Sequence, residues 1–117
     1  MLTTLSVALV ALLHVLFMVL EMFFWTRPLG HRIFGLSHEL AGKTAALAAN
    51  QGLYNGFLAA GLIWGLVSAE QTTAISTFFL SCVIVAGVFG AITAKRTILY
   101  IQALPGAIAL AMVLLSG

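Results

Sequence analysis

Glu21, set in an otherwise apolar run, and the amide and phenol cluster Asn50, Gln51, Tyr54 and Asn55 are the residues of this chain whose types and spacing could do chemistry. A carboxylate or amide in hydrocarbon is costly unless paired or hydrated, so such groups either bind something or tie helices together. On one α-helix, at about 100° per residue, the four residues of the cluster fall within about 140° of one another. They share one face. Glu21 then has two readings: a site for a proton or cation, or a carboxylic acid hydrogen-bonded to an amide of a neighbouring helix. His14 stands two turns before it on the same face, about 10 Å away along the axis, too far to share a proton or a metal ion directly. With Gln102, these six residues (His14, Glu21, Asn50, Gln51, Tyr54, Asn55) form the candidate ligand-binding pocket.

The surroundings of these groups follow from composition. The chain has 117 residues, 62% hydrophobic and only 7% charged, with mean hydropathy +1.17. A typical soluble domain carries roughly 25% charged residues. Such a chain belongs in a bilayer, with membrane lipid as its first partner. The net charge of +2 comes from five Lys/Arg against three Asp/Glu, too few basic residues for a nucleic-acid surface. Cys82 is the only cysteine, so neither an internal disulfide nor a thiolate metal set is available, and a thiol in an apolar helix is inert. The spans hold too few His and carboxylate groups at one depth for a metal site. No catalytic Ser/His/Asp order and no glycine-rich phosphate loop appears, so no catalytic residue and no cofactor is assigned. His31 and His38, with Glu39 beside the second, read as a solvated connection.

Four apolar stretches, at residues 3–25, 44–67, 74–94 and 97–115, each approach the roughly 20 residues that cross a hydrocarbon core. The predicted fold is an all-α four-helix transmembrane bundle, one domain over residues 1–117. The first stretch lacks a positive flank and a cleavage site and reads as a retained span rather than a signal peptide. Thr26-Arg27-Pro28 should end it, because proline disfavours helix in the residue before it. Ile33, Phe34 and Leu36, set among charges, suggest a short surface segment, with Ser37 placed to cap the next helix. Pro105 predicts a local distortion in the last span.

All five cations, Arg27, Arg32, Lys43, Lys95 and Arg96, fall in the first and third connections. By the positive-inside rule these connections face the cytoplasm, and both termini and Glu70 lie outside. That threading gathers the polar side chains in the cytoplasmic half, with His14 near the midplane, and predicts a pocket open to the cytoplasm. Bacterial inner membrane is the expected location.

Ala48, Gly52, Gly56 and Ala60 recur at intervals of four, a strip on which a neighbouring helix can approach closely. Gly61 and Gly65 continue the polar face upward and predict room above the polar cluster. Small-residue faces also predict a homodimer or small homo-oligomer.

The runs His14–Trp25 (HVLFMVLEMFFW) and Asn50–Gly61 (NQGLYNGFLAAG), followed by QALP at Gln102–Pro105, resemble the pattern of bacterial domain-of-unknown-function family thirteen-oh-four. The likeness covers nearly the whole chain. It implies a four-span membrane protein whose signature positions are His14, Glu21, Asn50, Gln51, Asn55 and Gln102, and it brings no activity, substrate or cofactor. Three function classes follow from the residues. One is a binding or carrier protein for a small polar or amphipathic molecule, proton-coupled through Glu21. Another is a structural or assembly subunit whose amides bond helices together. The third is a small membrane enzyme acting on a lipid or quinone, with His14, Tyr54 and Glu21 as acid and base groups.

Overall fold

The structure is a computed structural model that describes residues 1–116. Helix α1 is Leu2–Phe23, α2 Pro28–Phe34, α3 His38–Val67, α4 Thr72–Thr93 and α5 Leu104–Ser116, with a π-helical turn, Leu99–Ala103, leading into α5. The described residues contain no strand.

Local chemistry sets most of these boundaries. Arg27, before the proline, is extended (φ −97°, ψ 160°), and Pro28 opens α2, where its missing N–H is no loss. Gly35 closes α2 in the left-handed region at φ 65°, its N–H bonded to the His31 carbonyl. Ser37 caps α3 as expected, its hydroxyl accepting the Leu40 N–H at 3.1 Å. Pro105 acts upstream of itself. It cannot donate to the Ile101 carbonyl four residues back, and the ladder just before it widens to the π pattern, the Leu104 N–H bonding to the Leu99 carbonyl.

Three helical segments are long and apolar enough to cross a membrane: Leu2–Phe23, Thr72–Thr93 and Leu99–Ser116. The expected second span is not among them, which corrects the count of four at the level of length and composition. Helix α3 has length to spare at 30 residues. Its hydropathy is diluted by Glu39 and Lys43 in its first turns, by three amides and by many alanines and glycines.

The chain divides into two compact units, Met1–Leu13 with the residues from Leu58 onward, and His14–Phe57. In the first unit Val7, Val10 and Ala11 of α1, Leu62 of α3, Leu80 and Val83 of α4, and Ala109 and Val113 of α5 form one buried apolar cluster. Helix α4 and the π turn pack backbone to backbone: a Cβ at Gly87 would stand 2.8 Å from the Ala103 amide nitrogen. Gly61 and Gly65 do not leave room. The Phe79 ring lies against Gly61, and the Ser76 hydroxyl would be 2.6 Å from a Cβ at Gly65. That reverses the expectation of space there: in lipid, a small residue is a place for a neighbour to fill.

In the second unit the Gly52 and Gly56 strip does seat a close neighbour. Cβ atoms there would meet Met22 at 2.7 Å and the Met18 sulfur at 2.7 Å, so α1 and α3 approach along the predicted strip. At the end of α1, Trp25 turns back rather than outward. Its indole N–H donates to the Thr44 hydroxyl at 3.0 Å, Thr44 donates to the Leu40 carbonyl at 2.8 Å, and the Trp25 ring packs on Phe34 at 4.8 Å between centroids.

Candidate functional site

The second unit holds six of the seven candidate residues, and α1 and α3 divide them into two groups. Close approach at Gly52 brings α3 against the Glu21 Cβ, 3.1 Å from where a Gly52 Cβ would stand. One turn further along, the Asn55 amide donates to Glu21 Oε1 at 2.5 Å. Asn55 is 8% exposed and Glu21 is half-buried. The pair is a hydrogen bond between two polar side chains drawn from separate apolar helices. It removes two orphaned groups from hydrocarbon at once. The carboxyl group retains acceptor capacity on its second oxygen, and the Asn55 amide keeps its own carbonyl oxygen.

The rest of the amide face points away from α1. Asn50 and Gln51 are exposed, and Tyr54 is 60% exposed with its ring 6.0 Å from that of Phe57. The Asn50 amide bonds back to the Ala46 carbonyl at 2.8 Å, the usual refuge of a polar side chain that has no other helix to reach. The cluster that shares one face by angle therefore splits. Asn55, at one edge of the arc, reaches the neighbouring helix. The others lie on the surface of the chain, flanking the Glu21–Asn55 pair by about one helical turn.

His14 is fully buried, its ring edge-on to Phe17 with centroids 5.2 Å apart. It makes the rear of the same stripe of α1, two turns from Glu21. Gln102 belongs to the other unit. It sits in the π turn, and its amide donates to the Val83 carbonyl of α4 at 3.1 Å, beside the Gly87–Ala103 crossing. A π turn displaces side chains from the regular helical register, which is how Gln102 comes to reach a backbone carbonyl of another helix.

Sequence reasoning misses two features of this unit. The Trp25–Thr44 bond carries no signal beyond an amphipathic ring at a helix end. His31 and His38, expected in a solvated connection, are paired edge to face at 5.7 Å between centroids, because the left-handed turn at Gly35 folds α2 back toward the first turn of α3. Among the described residues no group of three or more His, Cys, Asp or Glu could hold a metal ion.

Comparison with known proteins adds a family and no activity. A family model described as "Protein of unknown function (DUF1304)" matches residues 8–114. The uncharacterized protein YpaA of Lactococcus lactis subsp. lactis (strain IL1403) is 29% identical over 103 residues, covering 86% of this chain and 87% of that protein. No solved structure matches.

Proposed function

The chain belongs to this family of unknown function, and we propose that it is a four-span integral membrane protein which binds or carries a small polar or amphipathic molecule at the Glu21–Asn55 pair. One observation carries the reading: a carboxyl group and an amide from two apolar helices meet directly, with the hydrogen-bonding side chains of Tyr54 and Gln51 exposed within about a turn of Asn55 along α3 and Asn50 one residue beyond. A ligand arriving along that face finds acceptors at Glu21 and donors and acceptors at the amides. A purely structural tie uses one amide and one acid; the further three polar groups exceed what tying α1 to α3 requires.

Helix α3 crosses the membrane as the fourth span. It is continuous from His38 to Val67, and its residues from 44 onward are free of Asp, Glu, Lys and Arg. Leu62 shares the apolar cluster with α1, α4 and α5, which supports four helices lying side by side. The distribution of the five cations supports cytoplasmic connections after α1 and α4, with both termini outside. A second copy would pair through a small-residue face, and proton coupling would run through Glu21.

Native mass spectrometry of gently purified wild type beside Glu21→Gln, matched for folding by thermal melt, tests the proposal. The substituted amide keeps nearly the volume of the acid and still accepts from Asn55, so the fold persists. A discrete small-molecule adduct held by wild type and lost by the variant is the expected result. Identical spectra carrying only bulk lipid would leave the pair a structural tie.

A further inference from the structure

The charge at the Glu21–Asn55 pair is of one sign. Across residues 14–26 and 44–57, Glu21 is the single Asp, Glu, Lys or Arg. Among the described residues of this unit no Lys or Arg is paired with it. Lys43 bonds instead to Glu39 at 3.1 Å, in the first turns of α3, and stands about 18 Å along the helix from Asn55. An ionised carboxylate in apolar surroundings without a counter-charge is costly. A ligand that brings positive charge removes that cost, and one that brings negative charge adds repulsion to it.

The amides sharpen the selection. An ionised carboxylate only accepts, so the Asn55 atom bonded to Glu21 Oε1 is the amide nitrogen, and the Asn55 carbonyl oxygen is left over. Asn50 follows the same logic: the Ala46 carbonyl takes its N–H, and its oxygen is left. Gln51, one turn before Asn55, is exposed and adds a further carbonyl oxygen. The second Glu21 oxygen and the Asn55 and Gln51 carbonyls make three acceptors. Three are too few for an inorganic dication such as calcium, which takes about six to eight oxygens. They match the three N–H donors of a primary ammonium group.

An apolar platform lies beside the acceptors. Tyr54, the residue before Asn55, is 60% exposed and Phe57 57% exposed, with their rings 6.0 Å apart. Aromatic faces take up an apolar body and attract a cation held near them.

Resting on the binding site proposed above, we infer that its ligand is a primary amine, bound as the ammonium and carried on an apolar body. Glu21 and the Asn55 and Gln51 carbonyls accept its N–H groups, and the body lies over Tyr54 and Phe57. The amine is a free molecule or the headgroup of an aminolipid, since both present the same ammonium to an exposed face of α3.

The test uses the full chain in a neutral sugar detergent, as wild type and as Glu21→Gln matched for folding by thermal melt. Each is titrated calorimetrically with hexylammonium, hexyltrimethylammonium, hexanol and hexanoate, which share a chain and differ in charge and in N–H donors. In parallel, each is passed through vesicles of phosphatidylethanolamine or phosphatidylcholine, which differ by the three N-methyl groups, and retained lipid is counted by native mass spectrometry. Half-saturation of wild type by hexylammonium at a concentration about tenfold or more below the other three probes, with the difference lost in Glu21→Gln, supports the inference with a free amine as the source. Retention of phosphatidylethanolamine over phosphatidylcholine, lost in the variant, supports it with lipid as the source. The discrimination among headgroups by wild type needs no variant and stands if Glu21→Gln fails to fold. Preference for hexanol or hexanoate that is lost in Glu21→Gln overturns the amine and leaves the binding site. Equal binding of the trimethyl probe or of phosphatidylcholine, or no difference between wild type and variant with any probe, overturns the inference.

Discussion

Leu62 and Asn55 stand seven residues apart on helix α3, yet they stabilise the protein by different physics. Around Leu62 four helices supply branched and small apolar residues, and contact is made by shape; in the same unit backbones touch at Gly87 and Ala103. Around Asn55 two helices meet through named hydrogen bonds, Asn55 to Glu21 and Trp25 to Thr44, beside a strip of glycine filled by methionine. In lipid, dispersion does not distinguish protein neighbours from acyl chains, so the apolar region must rely on close fit, while the polar region relies on directional bonds. A close-fitting region tolerates little change of volume. A bonded region with exposed amides beside it has groups to offer a ligand.

The largest effect should come from adding volume where backbones touch. Gly87→Leu sets a side chain into the Ala103 backbone and should destabilise the protein by about 3 kcal/mol or more, read as loss of the folded fraction in a detergent unfolding titration. Leu62→Ala, which empties a fully buried position, should cost about 2 to 4 kcal/mol in the same titration. Asn55→Ala in the bonded region should cost only about 1 kcal/mol of stability, the usual size of one interhelical hydrogen bond in a membrane, and yet should abolish ligand retention. A loss at Asn55 as large as that at Leu62 would erase the distinction between the two regions. Smallest is Gly42→Ala, an exposed helical glycine with nothing near its missing Cβ. It should raise stability by about 0.5 to 1 kcal/mol, seen as a small increase in Tm.

How far the sequence foretells these regions depends on the kind of signal each residue carries. Ser37, Pro28 and the Gly52/Gly56 strip are legible because capping, the pre-proline backbone and small-residue spacing act locally or along one helix. The residues allow the Glu21–amide bond as one of two readings, and Asn55 as a member of the face, but do not tell that Asn55 alone turns inward. Helical angles say which residues share a face and not which way the face points. In a lipid-exposed chain hydrophobicity does not settle that direction, because inside and outside are equally apolar. The same gap explains Gly61 and Gly65, expected to leave room and instead filled by Phe79 and Ser76. The π turn that carries Gln102 to the Val83 carbonyl is signalled only as a distortion near Pro105.

If the Glu21–Asn55 pair holds a ligand and does not only join two helices, the ligand must stabilise the folded protein through that pair. Ligand that binds the folded state alone raises stability in proportion to the logarithm of its concentration. The direct measurement is the Tm of delipidated wild type, Glu21→Gln and Asn55→Ala before and after addition of a small-molecule extract of bacterial membranes. A concentration-dependent rise for wild type and none for either variant is the predicted result. Equal responses in all three proteins would contradict it.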